Sequence, residues 1–246
     1  MSAVLPFDQS ALIVAGAAFL GAFASGLAGF AFGLVAYGLW LHVLSPQIAG
    51  PLVIVASLIS QCLSLLHVRR AFRLDLLWPF LVGGIIGTPI GVWLLAYIDP
   101  VVLRRATGVF LVAYSGFFLL RPPVKPVHAG GRVADGGIGF ASGVMNGLAG
   151  LSGPLTTAWC SLRGWNRDAS RAVYQPFIVA VQVAALPALL GAGLLNRDLG
   201  YYTLICVPAM LLGVWLGVRL YVRINEVQFR RLMLWLLLAS GASLLV

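Results

Sequence analysis

The chain has 246 residues, of which 61% are hydrophobic and 9% are charged, whereas soluble domains carry about 25% charged residues. This composition excludes a soluble protein and predicts a polytopic membrane protein. The net charge of +9 comes from arginines in short connections, which is typical of loops beside anionic lipid headgroups and does not indicate nucleic-acid binding. No connection is long enough to fold by itself, so we expect residues 1–246 to form a single membrane domain.

Eight apolar segments follow one another along the chain, and a spanning helix needs about 20 mostly apolar residues. They lie at about 10–41, 48–67, 76–97, 101–120, 137–162, 171–195, 199–219 and 228–246. The connection at 121–136 is rich in proline and glycine, which is typical of a linker. We therefore predict an all-α membrane helix bundle with repeat 1 at 10–120, this linker at 121–136, and repeat 2 at 137–246.

The first and fifth segments contain the same unusual stretch. Residues 26–34 read GLAGFAFGL and residues 147–155 read GLAGLSGPL, at an offset of 121 residues. Glycine weakens a helix, and a proline inside a helix removes a hydrogen bond. We therefore expect both segments to be broken or re-entrant. Matched breaks in the two halves of a membrane protein point to the binding site of a transporter.

Other matches extend the repeat beyond these stretches. The 121-residue offset also relates Gln61 to Gln182. At an offset of 126 residues, two glycine pairs match: Gly87 and Gly91 with Gly213 and Gly217. Their four-residue spacing favours close packing of helices through small side chains. The GLAG stretches have three-residue spacing and polar neighbours, which favours a binding site.

The distribution of lysine and arginine indicates how the two halves are oriented. If all eight segments cross once, the 16 lysines and arginines divide 7 to 9 between the two faces. Alternatively, the first and fifth segments do not cross once, but dip in and return or cross twice as short hairpins. The lysines and arginines then divide 3 to 13 between the two faces, which agrees with the positive-inside rule. Each half then has one broken segment and three spanning helices. We therefore expect two inverted repeats, with both termini outside.

The two breaks form the candidate anion site. Lipid cannot satisfy the backbone groups that a broken helix frees, and the helix N-terminus that follows a break attracts negative charge. The expected substrate-binding residues at the breaks are Ser25, Gly26, Gly29, Gly33, Asn146, Gly147, Gly150, Ser152, Gly153 and Thr156. On the segments that follow the breaks, the amides of Gln61 and Gln182 and the guanidinium of Arg171 complete this set.

Each of these residues also has a structural interpretation. The glycines suit close packing of helices, and the hydroxyl and amide groups suit hydrogen bonds to the freed backbone. Gln61 and Gln182 suit a bond to each other between two helices. Arg171, at the start of the sixth segment, suits an interfacial arginine that reaches lipid headgroups. The sequence leaves both interpretations open.

The sequence offers few groups for other chemistry. All 7 carboxylate residues fall at segment ends or in connections, whereas proton relays and cation sites use buried carboxylates. No metal-ligand cluster, phosphate-binding loop or catalytic triad is readable. We therefore expect no cofactor, no metal and no enzymatic activity. The expected partners are a small anionic substrate and the lipid bilayer, and formation of a homodimer is left open.

In these motifs the chain resembles the TauE/SafE sulfite exporter family, bacterial permeases for sulfur-containing anions, over nearly its whole length. Further marks of the resemblance are HVRR at 67–70, DLLW at 75–78, GTPIG at 87–91, LRR at 103–105 and RA at 171–172. The resemblance implies a carrier of the bacterial inner membrane for sulfite, sulfoacetate or other organosulfonates. We hypothesise a secondary transporter with alternating access around the two breaks. The alternatives are a transporter of non-sulfur organic anions, and a non-transporting membrane scaffold or enzyme subunit.

Overall fold

The computed structural model describes residues 7–67, 73–120, 130–220 and 226–245, and the regular structure within these ranges is helical. These ranges contain ten helices: α1 Phe7–Ala28, α2 Phe32–Trp40, α3 Pro46–His67, α4 Leu74–Tyr97, α5 Pro100–Leu120, α6 Gly131–Ala149, α7 Gly153–Leu162, α8 Arg167–Gly191, α9 Arg197–Leu220 and α10 Glu226–Ser243. The first and fifth predicted segments each contain two helices, which is why eight segments give ten. Most of the predicted linker lies outside the described residues.

α2 runs back along α1, so the two helices form a hairpin. The indole N–H of Trp40, the last residue of α2, donates to the carbonyl oxygen of Val14 in the first half of α1 at 3.1 Å. A Cβ placed on Gly21 of α1 would lie 3.1 Å from the Cβ of Ala36 in α2. The two helices are therefore antiparallel, and the chain reverses direction between them.

α7 runs back along α6 in the same way. The indole N–H of Trp159 donates to Oδ1 of Asp135, near the start of α6, at 2.7 Å. Arg163 forms an ion pair with the same carboxylate at 2.8 Å. Asp135 stands 121 residues after Val14. Both hairpins therefore close through an indole N–H that binds equivalent positions of their first helices.

The second helix of each hairpin is too short to cross a bilayer. α2 has 9 residues and α7 has 10, which gives about 14–15 Å of helix against a hydrocarbon core of about 30 Å. Within the described residues, six helices are long and apolar enough to cross: Ser10–Ala28, Pro46–Ser64, Leu74–Tyr97, Pro100–Leu120, Ala169–Gly191 and Arg197–Leu220. The described apolar part of α10 is the shorter stretch Leu234–Ser243.

Glycines allow the backbones of α4 and α6 to touch. A Cβ on Gly87 would clash with the carbonyl oxygen of Phe140, and a Cβ on Gly91 would clash with the carbonyl oxygen of Val144. Because no side chain fits between the two backbones, the glycines set how closely the helices approach. The packing interpretation of this glycine pair is confirmed.

α1 and α9 pack through the equivalent positions. A Cβ on Gly213 would lie 2.6 Å from the carbonyl oxygen of Phe19, and a Cβ on Gly217 would clash with the carbonyl oxygen of Phe23. These carbonyl positions stand 121 residues before those of α6. The packing of α1 on α9 therefore repeats the packing of α6 on α4, and each hairpin lies against a helix from the other half of the chain.

Candidate functional site

The chain reversals of the two hairpins lie against each other. We call residues 29–31 the first tip and residues 150–152 the second tip. A Cβ on Gly33 would lie 2.8 Å from the carbonyl oxygen of Gly150, and a Cβ on Gly153 would lie 2.9 Å from the Cβ of Phe30. The two GLAG stretches, which are far apart in sequence, therefore meet in space.

Glycine ends the first helix of each hairpin in a left-handed conformation. Gly29 has φ 83° and Gly150 has φ 68°, values that residues with a Cβ rarely adopt. The N–H of Gly29 donates to the carbonyl oxygen of Ser25, and that of Gly150 donates to the carbonyl oxygen of Asn146, both at 2.7 Å. This is the usual glycine termination of a helix, and it occurs at equivalent positions of the two halves.

The helices that follow the tips begin without side-chain caps. The N-cap residues Ala31 of α2 and Ser152 of α7 form no side-chain cap hydrogen bond. The first-turn N–H groups of a helix lack partners within that helix and carry the positive end of its dipole. Both helix N-termini lie at the contact between the tips, so their first-turn N–H groups are present there beside the carbonyl groups that end α1 and α6.

Side chains from other helices bind the carbonyl groups at the first tip. Three donors reach three successive carbonyl oxygens: Arg171 Nη2 reaches Leu27 at 2.6 Å, Tyr174 Oη reaches Ala28 at 2.9 Å and Gln61 Nε2 reaches Gly29 at 2.8 Å. These carbonyls end α1 and lack helical partners. The donors therefore satisfy backbone that lipid could not, and they join α3 and α8 to the first tip.

Arg171 is buried. Only 3% of the surface of Arg171 is exposed. The Nε–H of its guanidinium donates to the hydroxyl oxygen of Tyr174 at 3.2 Å. The interpretation of Arg171 as an interfacial arginine that reaches lipid headgroups is therefore wrong. Instead, the second turn of α8 carries a positive charge into the protein beside the first tip.

Three polar atoms of α8 lie close to the side of Gly29 where a Cβ would project. A Cβ on Gly29 would lie 2.9 Å from Gln175 Nε2, 3.2 Å from Tyr174 Oη and 3.3 Å from Arg171 Nε. Gln175 is 3% exposed, and its Nε2 has no hydrogen-bond partner among the described residues. This nitrogen is a buried donor without an acceptor among the described residues, which costs free energy unless water or a ligand binds it.

The predicted set of binding residues omits Tyr174 and Gln175. Their signal in the sequence is spacing, because positions three and four residues after Arg171 share its helix face. A face with three polar side chains in an apolar segment indicates contact with other polar groups. The partner of that face, the first tip, becomes visible only in the folded chain.

The second tip has its own polar contacts. Asn146 Nδ2 donates to the carbonyl oxygen of Val181 in α8 at 3.0 Å. Thr156 Oγ1 lies 2.9 Å from Ser142 Oγ and 3.1 Å from the carbonyl oxygen of Ser152. These bonds join α6, α7 and α8 around the second tip, and they fit the structural interpretation of these groups as partners of nearby backbone.

The two equivalent glutamines bind different groups. Gln61 Nε2 donates to the backbone of the first tip, as described above, whereas Gln182 Nε2 donates to Ser57 Oγ in α3 at 2.8 Å. Neither amide nitrogen donates to the other glutamine. The two nitrogens therefore do not form the bond between Gln61 and Gln182 that the structural interpretation suggested. Gln182 thereby joins α8 to α3, the equivalent helices of the two halves.

Several buried polar atoms around the tips have no partner among the described residues. They are Ser25 Oγ, Ser60 Oγ, Gln61 Oε1, Asn146 Oδ1, Ser152 Oγ, Gln175 Nε2 and Gln182 Oε1. A buried polar atom without a partner costs about 1–3 kcal/mol, and native proteins contain few of them. These atoms belong to the hairpins or to α3 and α8, which contact the tips, and water or a polar ligand would satisfy them.

Two of the predicted residues lie at helix contacts outside the tips. A Cβ on Gly26 would lie 3.0 Å from the Cα of Gly217 in α9, and a Cβ on Gly147 would clash with the carbonyl oxygen of Thr88 in α4. The other predicted residues lie at the tips, within two turns of them, or on α3 and α8. Among the described residues, no group of three or more His, Cys, Asp or Glu is placed to hold a metal ion.

Comparisons with known proteins give one family and one relative. A family model described as sulfite exporter TauE/SafE matches residues 14–244. A curated protein of Comamonas testosteroni, named probable inner membrane transporter protein TsaS, is 30% identical over 187 residues, which cover 74% of this chain and 77% of that protein. No solved structure matches the chain.

Proposed function

The chain belongs to the sulfite exporter TauE/SafE family, and from that premise we propose that it carries small sulfur-containing anions such as sulfite, sulfoacetate or other organosulfonates. Membership of this family makes the chain a multi-pass membrane transporter and not an enzyme. The curated relative is named an inner membrane transporter, and this chain is assigned to the same bacterial membrane. Transport proceeds by alternating access around the two tips.

The meeting of the two tips is the observation that carries this proposal. It brings two uncapped helix N-termini, a buried arginine and polar atoms without partners into one region. N–H groups, hydroxyls and a guanidinium are the donors that an oxyanion requires. The proposed substrate-binding residues are Ser25, Gly29, Gly33, Gln61, Asn146, Gly150, Ser152, Gly153, Thr156, Arg171 and Gln182. Gly26 and Gly147 support the site by holding the hairpins against α9 and α4.

Equivalent contacts in the two halves support an inverted repeat. The α1–α2 and α6–α7 hairpins close at matching positions, and they pack on α9 and α4 at matching positions. Because α2 and α7 are antiparallel to their partners and too short to cross, each hairpin returns toward its starting side. Each half then crosses the membrane three times, so the halves insert in opposite orientations. The division of lysine and arginine, 3 to 13, fits this arrangement with both termini outside.

The packing also supports a route for alternating access. Each hairpin contacts a helix of the other half partly through glycine and backbone. Contacts of this kind suit small sliding movements of packed helices. A hairpin that shifts along its partner helix would expose the tip contact to one side of the membrane and then to the other.

The direct test is anion flux through the purified protein in liposomes. We expect labelled sulfite or an organosulfonate to equilibrate faster than in protein-free liposomes, and the same unlabelled anion to compete. Binding to the folded state should also raise the melting temperature by mass action. At an anion concentration of a hundred times Kd, the expected gain in the free energy of unfolding is about 2.7 kcal/mol. Chloride and sulfate at equal ionic strength serve as controls for general salt effects.

Two results would change the assignment. Flux at the protein-free level, with no anion that raises the melting temperature, would favour a non-transporting scaffold or enzyme subunit. Flux and stabilisation by carboxylates alone would indicate a transporter of non-sulfur organic anions.

A further inference from the structure

The helices beside the two tips can be compared position by position. The α8 wall consists of Arg171, Tyr174 and Gln175, and it faces the first tip. Subtraction of the 121-residue offset gives Gly50, Val53 and Ile54 in α3, which we call the α3 wall. The same positions of two equivalent helices therefore carry three polar side chains in one half and none in the other.

The α3 wall occupies the equivalent place beside the second tip. A Cβ on Gly150 would clash with Cγ1 of Val53 and would lie 3.3 Å from the backbone nitrogen of Ile54. A Cβ on Gly50 would lie 3.0 Å from the carbonyl oxygen of Leu148, which is the position equivalent to the Leu27 carbonyl that Arg171 binds. The two walls thus match in geometry and differ in chemistry.

From this difference we infer that each chain binds a single anion, off the axis that relates the two halves, with the α8 wall at the first tip as its principal contact. The inference rests on the proposed function and adds to it a position, a stoichiometry and two recognition residues, Tyr174 and Gln175. The α3 wall closes the second tip by apolar packing and contributes no donor to the anion.

The chemistry of the α8 wall fits an oxyanion. Gln175 Nε2 is a buried N–H donor that has no acceptor among the described residues, and it lies next to the Gly29 side that lacks a side chain. The planar guanidinium of Arg171 matches the oxygens of an oxyanion and supplies the opposite charge. Sulfite and sulfonate groups carry their charge on several oxygens, so one group of this kind can accept from both residues.

The test is calorimetric titration of the full chain in nanodiscs with sulfite, and in parallel with sulfoacetate. We expect a stoichiometry of one anion per chain. Gln175→Leu should weaken binding about tenfold or more, because a hydrogen bond to a charged group is lost. Gln175→Glu has nearly the same size and should abolish measurable binding through repulsion. Ile54→Leu at the equivalent position of the α3 wall should leave Kd within about twofold, since apolar swaps of equal volume are tolerated.

The outcomes separate this inference from the proposed function. If the wild-type chain neither binds nor transports either anion, the proposed function is wrong. If the wild-type chain binds two anions, or if the Gln175 variants bind as the wild type does while transport persists, the single position at the α8 wall is wrong. The stoichiometry is measured on the wild-type chain, so a variant that fails to fold does not remove the test.

Discussion

At the residue scale, both tips depend on a glycine. Gly29 and Gly150 hold the backbone at positive φ. Each is also closely enclosed on the side where a Cβ would project. A Cβ on Gly29 would lie 2.9 Å from Gln175 Nε2, and a Cβ on Gly150 would clash with the side chain of Val53. A larger residue would therefore have both an unfavourable backbone conformation and no space. A left-handed conformation alone costs about 1–3 kcal/mol for a residue with a Cβ.

We expect Gly29→Leu or Gly150→Leu to abolish anion flux in liposomes while the protein still inserts into the membrane. The reason is that a leucine at either position has no space and displaces the tip from the side chains that enclose it. Gly16→Leu is the matched control, because a Cβ on Gly16 in α1 would meet nothing within 4 Å. Wild-type flux in either tip variant, measured at equal incorporation, would count strongly against the tips as the transport site.

The sequence predicted these glycines because the repeat isolates them from the chain's other glycines. It did not predict what surrounds them. The contact of Gly29 with Tyr174 and Gln175 joins residues more than 140 positions apart, and it depends on how α8 lies over the end of α1. Such long-range contacts follow from packing rather than from local pattern.

At the element scale, the second hairpin is held closed by a buried ion pair. The Asp135 and Arg163 side chains are 10% and 9% exposed, and their atoms lie 2.8 Å apart. The guanidinium of Arg163 also lies over the ring of Trp159 at 5.0 Å, while the indole N–H binds Asp135. In the first hairpin, the backbone of Val14 takes the place of the carboxylate. The second hairpin therefore has the more strongly electrostatic closure.

We expect Asp135→Ala to lower the free energy of unfolding by about 3 kcal/mol, because removal of one partner leaves a buried charge uncompensated. The readout is the melting temperature in detergent. Asp75→Ala is the control. The side chains of Asp75 and Arg73, which form an ion pair, are 57% and 51% exposed. Surface ion pairs of this kind contribute about 0–1 kcal/mol to stability. Equal melting temperatures for the two variants would refute the role of Asp135 in closing the hairpin.

Local pattern indicated that two helices would break but not how they would continue. The GLAG stretches mark the ends of α1 and α6, since glycine in the left-handed conformation terminates a helix. The return of α2 along α1 includes the bond between Trp40 and the carbonyl oxygen of Val14. Nothing in the local sequence pairs these two residues, because they stand 26 positions apart and the acceptor is a backbone group.

At the scale of the whole molecule, the two halves are interleaved. α1 packs on α9 and α6 packs on α4, so each half contributes a hairpin to a contact with the other. Four of the buried polar atoms without partners among the described residues belong to α3 and α8: Ser60 Oγ, Gln61 Oε1, Gln175 Nε2 and Gln182 Oε1. The sequence predicted two equivalent halves from their offset. The exchange of partners between halves was not predictable, because glycine pairs suited to close packing do not specify which helix they meet.

We expect the C-terminus to lie on the periplasmic side, as the division of lysine and arginine indicates. Alkaline phosphatase fused to the C-terminus should be active, and green fluorescent protein fused there should be dark. A fusion truncated after Lys125 is the internal control and should give the opposite result, since the linker is expected in the cytoplasm. The same reporter result at both positions would contradict an inverted repeat.

The contact between Gly33 and Gly150 has a mechanical consequence. Its atoms belong to backbone, which cannot rotate aside as a side chain does, and a reciprocal contact joins Gly153 to Phe30. Because the two backbones are in contact, one hairpin cannot advance toward the other unless the second hairpin moves as well.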